Sequence, residues 1–452
     1  MVTCDEPRTI IVPQRRYAPD NPRLPRETPI LGLGCSSFSS FFSSNGDDEM
    51  TVDTISIDHP AVRGWVETIR HAVLKRGINL LDTAPWYGHG TSEITVGYAL
   101  DNILKEDIHE QQIISSGQNA STIPTIQKRK RNGDLPRDRL IINTKVGRYE
   151  SQPILQFDFS YDTTMMSVQR SIERMNCSYI DVIQLHDPEF APNLSILKEE
   201  TIPALLECRR RGWTKAIGLT GYPLEMQHQI LVECQGSLFA DAVVFDQALV
   251  YCHNNLHDMS LYRDRCFPSV DENGSGDDNI SFAQFCQKSN IHLMAAAPLS
   301  MGLFTLRGPP SWHPASTTLK EACSTSVNLC ESKGVNASSL ALLFALSQLE
   351  VGCTLLGMKN VEEVDAAADL AMRFCDVNFD AAMKSGDSDR QLRYETILDK
   401  ILTETEREVL SLLLDEDHGP FSAVISNGEY KWNWKNEVTR FWSLAQESEQ
   451  TR

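Results

Sequence analysis

This sequence of 452 residues is short of positive charge and has no cluster of metal-binding cysteines. It carries 42 lysines and arginines against 61 aspartates and glutamates, which gives a net charge of −19. That balance argues against nucleic acid as a partner, because phosphate contacts need clustered basic residues. The 12 cysteines are scattered, with no C-x-x-C pair and no histidine spacing typical of zinc. The sequence therefore predicts no metal site and a reducing compartment.

The sequence also lacks the apolar segments that direct export or membrane insertion. Its N-terminus has no apolar core like that of a signal peptide, and no run is long enough to span a bilayer. We therefore expect a cytoplasmic protein without a membrane partner.

A complete dinucleotide fingerprint is missing as well. Gly32 and Gly34 follow a short apolar run, as in the first half of G-x-G-x-x-G, but Ser37 stands where the third glycine belongs. A Rossmann fold is therefore not favoured.

Short apolar runs alternate with amphipathic stretches along most of the chain. Near-continuous apolar runs are typical of parallel strands buried on both faces, and the stretches between them predict helices. Eight such units favour a closed (β/α)8 TIM barrel over an open sheet. The predicted strands lie near Leu31 and at 78–83, 140–145, 180–186, 214–220, 241–247, 291–297 and 351–357.

The chain divides into three parts by composition. We expect a poorly ordered N-terminal arm at 1–28, the barrel at 29–375, and a C-terminal extension at 376–452 that packs on the barrel. Two polar insertions, at about 107–138 and 258–279, are expected to be mobile loops. The aromatic residues that would pack the extension are Tyr430, Trp432, Trp434, Phe441 and Trp442.

Ionisable residues stand at the C-terminal ends of three consecutive predicted strands. These are Asp82, Lys145 and His186, and Tyr87 lies in the loop after Asp82. The strand ends converge on one mouth of a barrel, so the four side chains are expected to meet. Each residue alone also fits a structural role: Asp82 as a turn cap, Tyr87 as a half-buried ring. The combination favours catalysis.

Such a set suits proton transfer that accompanies hydride transfer. Tyrosine, with a pKa of about 10, is a poor base at neutral pH, and the Lys145 ammonium would stabilise its phenolate and lower that pKa. Asp82 would keep the ammonium charged, and His186 would orient the substrate oxygen. General acid–base catalysis contributes about 10²–10⁴-fold. The hydride needs a cofactor, because no side chain supplies one.

Motifs around these residues resemble those of the aldo-keto reductase superfamily. They are D-T-A-P-W-Y-G at 82–88, T-K-V-G-R-Y at 144–149 and L-H-D-P-E-F at 185–190. G-L-T-G-Y-P-L at 218–224 and P-L-S-M-G-L at 298–303 are similar to the branch that contains L-galactose dehydrogenase and D-arabinose 1-dehydrogenase. The resemblance implies a tetrad of Asp82, Tyr87, Lys145 and His186, with Tyr87 as the general acid or base.

The resemblance also implies where a nicotinamide cofactor and a substrate would bind. Trp86, His89 and Asp187 would line the substrate pocket. Thr220 and Gln247 would hold the nicotinamide, and the start of the last barrel helix would meet the adenosine end. The implied cofactor contacts are Thr220, Gly221, Gln247, Ser300, Gly302, Leu303, Gly357, Met358, Lys359 and Glu363.

The chain departs from the superfamily pattern at the cofactor site. Ala296 stands where many relatives stack a tyrosine on the nicotinamide, and Ala367 replaces an asparagine that often touches adenine. Glu362 and Glu363 lie where NADP-using relatives often carry basic residues, and a carboxylate there would repel the 2′-phosphate. We therefore expect NAD, with NADP as the alternative because Lys359 lies nearby.

The resemblance implies NAD-dependent oxidation of the anomeric carbon of a free aldose to the aldonolactone. L-Galactose, D-arabinose or L-fucose would be the substrate, and ascorbate or erythroascorbate synthesis the setting. Two alternatives stay open: an NADPH-dependent aldehyde or ketone reductase with the same tetrad, and a non-catalytic regulatory subunit of the same fold. The expected partner is a small sugar, and the chain is expected to be a monomer or a dimer.

Overall fold

The computed structural model describes residues 11–16, 21–39, 50–105, 131–234, 244–268, 279–379, 390–432 and 438–443. Their strands are β1 (Gln14–Arg16), β2 (Glu27–Pro29), β3 (Leu31–Gly34), β4 (Leu80–Asp82), β5 (Ile141–Val146), β6 (Ile180–His186), β7 (Thr214–Gly221), β8 (Gln247–Tyr251), β9 (Phe267–Pro268), β10 (Asn279–Ile280), β11 (His292–Ala296) and β12 (Cys353–Gly357). Eight of these strands are parallel and close into a barrel in the order β11-β12-β3-β4-β5-β6-β7-β8. The predicted (β/α)8 barrel is confirmed.

Helices surround the barrel. The helix Pro60–Arg76 ends at Gly77, whose φ of 67° is the left-handed C-cap conformation that glycine tolerates best. The helices are Pro60–Arg76, Thr91–Ile103, Pro153–Gln156, Tyr161–Met175, Leu194–Ile196 continued through a π-turn into Ile202–Arg210, Leu224–Glu233, Ser260–Arg263, Phe282–Lys288, Thr317–Ser332, Ala337–Leu346, Val361–Met372, Arg390–Ile401, Glu404–Leu413 and Ser422–Ser426.

One strand was predicted too early in the chain. The apolar run at 241–247, whose first three residues lie outside the described part, suggested a strand, but β8 begins only at Gln247. Phe245 is fully buried in the segment that leads into the barrel, so hydrophobicity did not separate this segment from the strand. Tyr251, and not Gln247, therefore reaches the C-terminal end of β8.

A small apolar core fills the inside of the barrel. Side chains alternate along a strand, so Leu80 and Asp82 both point inward, as do Val182 and His186. Burying an aliphatic side chain such as that of Leu80 or Val182 stabilises the fold by about 1.5–3 kcal/mol. This inner core forms the floor beneath the mouth; it consists of Leu24, Leu80, Ile141, Val182, Ala216, Leu249, Met294, Cys353 and Leu355.

The N-terminal segment closes the opposite end of the barrel. β1 and β2 pair in an antiparallel ladder. The buried Arg15 guanidinium donates hydrogen bonds to the carbonyl oxygens of Leu346, Gln348 and Val351, and Leu24 enters the inner core. The structure of 11–16 and 21–28 thus differs from the expected poorly ordered arm, because buried side chains tie both stretches to the barrel. Residues 1–10 and 17–20 lie outside the described part.

The described parts of the two polar insertions are folded. Arg137 is buried and donates to Asp181 across 2.8 Å. Asp258, at the start of the second insertion, is fully buried. Residues 106–130 and 269–278 lie outside the described part, so for them the loop interpretation stays a prediction.

The C-terminal extension packs on loops at the mouth of the barrel. The Trp432 ring is parallel to that of Tyr222, with centres 5.5 Å apart. Phe441 meets Phe190 edge to face across 5.4 Å. Trp434 lies outside the described residues. Among the helices of the described part, none is both long and apolar enough to cross a membrane.

Candidate active site

Three strand ends bring an acid, an amine and an imidazole together at the mouth of the barrel. Asp82 is the last residue of β4, His186 is the last residue of β6, and Lys145 lies one residue before the end of β5. The Lys145 ammonium donates to the Asp82 carboxylate and to the carbonyl oxygen of Thr83, the latter across 2.8 Å. All three side chains are buried, so the Lys145–Asp82 ion pair is shielded from water.

Tyr87 reaches this cluster from the loop after β4. A short 3-10 turn, Tyr87–Gly90, positions it, and Gly88 in that turn has a φ of 60°. A Cβ at Gly88 would lie 2.1 Å from Thr91 Oγ1, so the turn requires glycine there. The Tyr87 ring meets that of His186 edge to face at 6.3 Å, and Lys145 Nζ lies 4.8 Å from its centre. The structure thus brings all four predicted tetrad residues together.

Burial dominates the electrostatics of the cluster. It raises the pKa of Tyr87 above its ordinary value, and the charge and hydrogen bond of Lys145 oppose that rise without cancelling it. For Lys145, burial alone would lower the pKa, but Asp82 and Tyr87 raise it above the ordinary value. Burial lowers the pKa of His186 to about 3, against an opposing effect of Asp187. At neutral pH the site therefore holds a neutral tyrosine, a charged lysine and a neutral histidine.

A pair of glutamines lies beneath the tetrad. Gln184 donates to Asp82 Oδ2 across 2.8 Å, and Gln247 donates to Gln184 Oε1 across 3.3 Å. Gln247 is the first residue of β8 and fully buried, so its predicted contact with the nicotinamide stays a prediction. Gln184 was not predicted as a site residue, although the period of two along β6 places it on the same face as His186.

Two of the predicted cofactor contacts, Thr220 and Gly221, lie at the end of β7. Thr220 is the ladder partner of His186. Gly221 follows it, and a Cβ there would lie 2.6 Å from a carboxylate oxygen of Glu189. Glu189 also accepts a hydrogen bond from the Tyr222 amide across 3.0 Å. Thr220 thus borders the mouth, and Gly221 gives room to a buried carboxylate that the sequence analysis missed.

The loop that carries the implied cofactor contacts Ser300, Gly302 and Leu303 forms a tight turn, Ser300–Gly302, after β11. The Ser300 hydroxyl is hydrogen-bonded to His257 Nε2 across 2.8 Å, and its carbonyl oxygen to His313 Nε2 across 3.0 Å. The backbone N–H groups of Gly302 and Leu303 donate within the turn. These groups serve the loop itself, so a cofactor contact by Ser300, Gly302 or Leu303 remains a prediction.

The predicted adenosine site borders a cavity of about 370 Å³ between two helices. Trp65 and Thr68 line one side, and Lys359, Asn360 and Glu362 line the other. This wall is the N-terminus of the helix Val361–Met372, which follows Gly357 and the buried Met358.

This helix start is held by its own side chains. The Asn360 side chain caps the helix by accepting from the Glu363 amide, and the Glu363 carboxylate accepts from the Lys359 amide across 2.8 Å. The cavity thus combines the Trp65 ring and Lys359 with two carboxylates, Glu67 and Glu362, a lining that suits the adenosine part of a nucleotide better than its phosphates.

An aromatic group occupies the mouth beside Ala296. Tyr251 is the ladder partner of Ala296, and its ring lies 5.3 Å from that of Trp432 and 6.5 Å from that of Tyr222. Tyr251 was not predicted at the mouth, because the strand was predicted at 241–247 and so ended before it. Trp432 was not predicted there either, because no sequence pattern places it beside β7 and β8, which precede it by more than 180 residues.

The predicted substrate residues lie on the opposite side of the mouth. Trp86 and His89 meet edge to face at 5.2 Å, and His89 Nδ1 is hydrogen-bonded to the Tyr149 carbonyl oxygen. Asp187 accepts from Arg148 Nη1 across 2.7 Å. Arg148, for which no role was predicted, thus contacts both Trp86 and Asp187, and His89 packs on the Trp86 ring. Among the described residues, no group of three or more His, Cys, Asp or Glu side chains is placed to hold a metal ion.

The comparisons with known proteins agree with this geometry. The model of the Aldo/keto reductase family matches residues 63–380. The chain is 30% identical over 335 residues to L-galactose dehydrogenase of Arabidopsis thaliana. The aligned region covers 74% of this chain and 82% of the plant protein. The chain is 29% identical over 315 residues to D-arabinose 1-dehydrogenase of Saccharomyces cerevisiae, covering 69% and 78%.

Solved structures of the same fold include an aldo-keto reductase from Bacillus halodurans in its holo form. That structure has a TM-score of 0.50 at 19% identity and covers 88% of this chain and 99% of its own. The glycerol dehydrogenase from Gluconobacter oxydans has a TM-score of 0.50 at 18% identity, covering 86% and 96%. At these identities the likeness establishes the fold alone.

Proposed function

Because this chain belongs to the aldo/keto reductase family, we propose that it oxidises the anomeric carbon of a free aldose to the aldonolactone and passes the hydride to NAD. An NAD(P)-dependent oxidoreductase is the class that the family defines. The choice of a sugar as the substrate is supported by the two relatives, L-galactose dehydrogenase and D-arabinose 1-dehydrogenase. The observation that carries the proposal is the buried Lys145–Asp82 pair beside the Tyr87 ring and the neutral His186.

In this reaction Tyr87, once ionised to the phenolate, takes the proton of the C1 hydroxyl and becomes neutral as the hydride leaves C1. Lys145 stabilises the phenolate before the transfer, and Asp82 keeps the ammonium charged and in place. His186 orients the C1 oxygen: its Nε2 lies 3.7 Å from Asp187, beyond hydrogen-bond distance, and so is available to a substrate. When bound, an oxidised nicotinamide accepts the hydride.

The cofactor would span the mouth from Thr220 to the cavity at Lys359. Trp65 would offer its ring to the adenine beside the N-terminus of the helix Val361–Met372. Glu362 in the wall of that cavity favours a free 2′-hydroxyl over a 2′-phosphate, which supports NAD.

Initial rates with a panel of aldoses test the proposal. We expect NADH formation with at least one of L-galactose, D-arabinose and L-fucose, a lactone as the product, and a higher kcat/KM for NAD than for NADP. A higher kcat/KM for NADP would refute the cofactor preference. Absence of a lactone with every aldose would refute the reaction.

One observation favours a second candidate, the reduction of aldehydes or ketones. Because burial raises the pKa of Tyr87, the tyrosine holds its proton at neutral pH and is ready to donate it to a carbonyl oxygen. Comparing kcat/KM for aldose oxidation at alkaline pH with kcat/KM for aldehyde reduction at neutral pH decides between the two directions.

A further inference from the structure

Arg148 stacks on Trp86, one of the residues predicted to line the substrate pocket. Its guanidinium carbon lies 4.0 Å from the centre of the Trp86 ring, and its Nη1 donates to Asp187 Oδ2 across 2.7 Å. Stacking of this kind is favourable for arginine, whose planar guanidinium is weakly hydrated. A substrate that approaches His186 from this side therefore meets the Arg148–Asp187 pair instead of bare indole.

The pair is fixed in place on both sides. The Asp187 amide donates to the Thr220 carbonyl oxygen across 2.8 Å, and the Phe190 amide donates to the Asp187 carbonyl oxygen across 3.0 Å. Asp187 has a φ of 50°, a left-handed conformation held by these two bonds. With its amide oxygen turned to the guanidinium, Gln156 accepts from Arg148 Nε and Nη2 across 3.1 and 2.9 Å.

Some hydrogen-bonding groups of Arg148 and Asp187 already have partners, and others are available to a ligand. The exposed fractions of the Arg148 and Asp187 side chains are 21% and 11%, so both are largely buried but still accessible to water and small solutes. Three of the five guanidinium N–H groups have acceptors, and Asp187 Oδ1 has no hydrogen-bond partner among the described residues. The site thus presents one acceptor and two donors side by side, with no net charge.

We propose that Asp187 and Arg148 bind the hydroxyl group on the carbon next to the reacting carbon. That hydroxyl donates to Asp187 Oδ1 and accepts from the Arg148 guanidinium, while Tyr87 and His186 hold the reacting oxygen. This deepens the proposed function, since it makes the pair the element that recognises a polyhydroxylated substrate. Asp187 Oδ2 lies 3.7 Å from His186 Nε2, which places the Asp187 carboxylate beside the imidazole that would hold the reacting oxygen.

A neutral donor–acceptor pair favours this ligand over two others. An anionic substrate gains little, because Asp187 already neutralises Arg148. An apolar aldehyde would displace water from Arg148 and Asp187 without replacing the hydrogen bonds that the water makes to them, and this weakens binding. A site built to hydrogen-bond a substrate hydroxyl rejects the analogue that lacks it.

The test compares two aldehydes that differ in the adjacent hydroxyl, glyceraldehyde and propanal, as substrates for reduction. We expect the wild-type full chain to prefer glyceraldehyde in kcat/KM by about 10²-fold. Asp187→Asn and Arg148→Met should bring that ratio to within a few-fold of one, and Arg148→Lys should restore part of it. Arg210→Met, which breaks an exposed pair with Glu207, serves as the matched control and should keep the wild-type ratio.

A wild-type ratio near one, or an unchanged ratio in both Asp187→Asn and Arg148→Met, would overturn the inference. Thermal midpoints of all variants show whether a substitution disturbs the fold. The ratio of kcat/KM for the two substrates does not depend on the folded fraction, so a change in that ratio reports recognition alone. The proposed oxidation of aldoses is judged separately, by lactone formation, so either statement can fail while the other holds.

Discussion

The charges of the tetrad are set by which residues share a buried space. Lys145 and Asp82 are each about 2% exposed. Removing one partner of a buried pair leaves the other charge without compensation, which is far more costly than losing a surface pair. The pair therefore bears on stability and, in the proposed mechanism, on chemistry, and a single substitution tests both.

Lys145→Met should lower kcat for oxidation by at least about 10²-fold, because Tyr87 loses the cation that stabilises its phenolate. It should also destabilise the fold by about 3–5 kcal/mol, since Asp82 stays buried without a counter-charge. Rapid kinetics and denaturant unfolding measure the two effects. The control is Lys215→Met, which removes a half-exposed lysine from Asp181 but leaves that carboxylate paired with Arg137, and is expected to cost at most about 1 kcal/mol. Normal turnover by Lys145→Met would contradict the assigned role.

The pH dependence of oxidation follows from two pKa shifts. The pKa of Tyr87 is raised, so kcat/KM for oxidation should increase with pH across the neutral and mildly alkaline range. Burial lowers the pKa of His186 to about 3, so no inflection should appear near pH 6.5, where an exposed histidine titrates. Initial rates from pH 5 to 10 measure this. An acid limb centred near 6.5 that disappears in His186→Gln would show that His186 titrates there.

At the residue scale, the sequence was enough to predict that the four tetrad residues meet, but not which residues surround them or how deeply they are buried. Asp82, Lys145 and His186 were found because strand ends of a barrel share one mouth. The net pKa of Tyr87 could not be foreseen, because the sequence names Lys145 as a neighbour but does not give the burial that outweighs it. Arg148 was missed for a related reason: its contact with Trp86 joins residues 62 positions apart in sequence.

At the element scale, the C-terminal segment is the least predictable contributor to the mouth. Trp432 is 4% exposed, stacks on Tyr222, and its amide donates to the Tyr222 hydroxyl across 2.8 Å. The His257 ring also bonds the Tyr430 carbonyl oxygen across 2.9 Å. These contacts join the extension to the loops that follow β7 and β8.

Trp432→Ala should destabilise the protein by about 3–5 kcal/mol through the cavity it leaves. Trp312→Ala removes a tryptophan that is 58% exposed and should change stability by at most about 0.5 kcal/mol. Chemical denaturation of both variants, with hydrogen exchange over 422–432, measures the difference. Equal stability of the two variants would mean that the extension is not held through Trp432.

Element boundaries were predicted well where an apolar run ends at a polar residue. β6 was predicted at the observed bounds for that reason. β8 was not, because the buried Phe245 extends the apolar run ahead of the strand, and the strand itself ends in Tyr251. The N-terminal hairpin was missed because the burial of Arg15 depends on three carbonyl oxygens more than 330 positions away.

At the scale of the whole molecule, buried neutral histidines couple stability to pH. Burial lowers the pKa of His257 and His313 to about 4, and that of His186 and His292 to about 3. Below the unfolded pKa of about 6.5 the unfolded chain binds protons that the folded chain does not, so stability falls as pH decreases. Each histidine contributes about 1.4 kcal/mol per pH unit in that window.

Unfolding midpoints should therefore decrease steadily from pH 7 to pH 5. His257→Asn keeps a donor for the Tyr430 carbonyl oxygen but cannot titrate, so its midpoint should depend less on pH than that of the wild type. His59→Asn, at an exposed helix cap, is the control and should follow the wild type. A wild-type midpoint that is constant over this range would refute the linkage.

The central claim, that hydride leaves C1 of an aldose with Tyr87 as the base, is tested most directly by isotope transfer. L-Galactose, D-arabinose and L-fucose deuterated at C1 are incubated with the protein and NAD, and the NADH is examined by mass spectrometry. We predict deuterium at C4 of the nicotinamide with a productive sugar, and loss of this signal in Tyr87→Phe. NADH formed without deuterium, or equal transfer by Tyr87→Phe, would contradict the account.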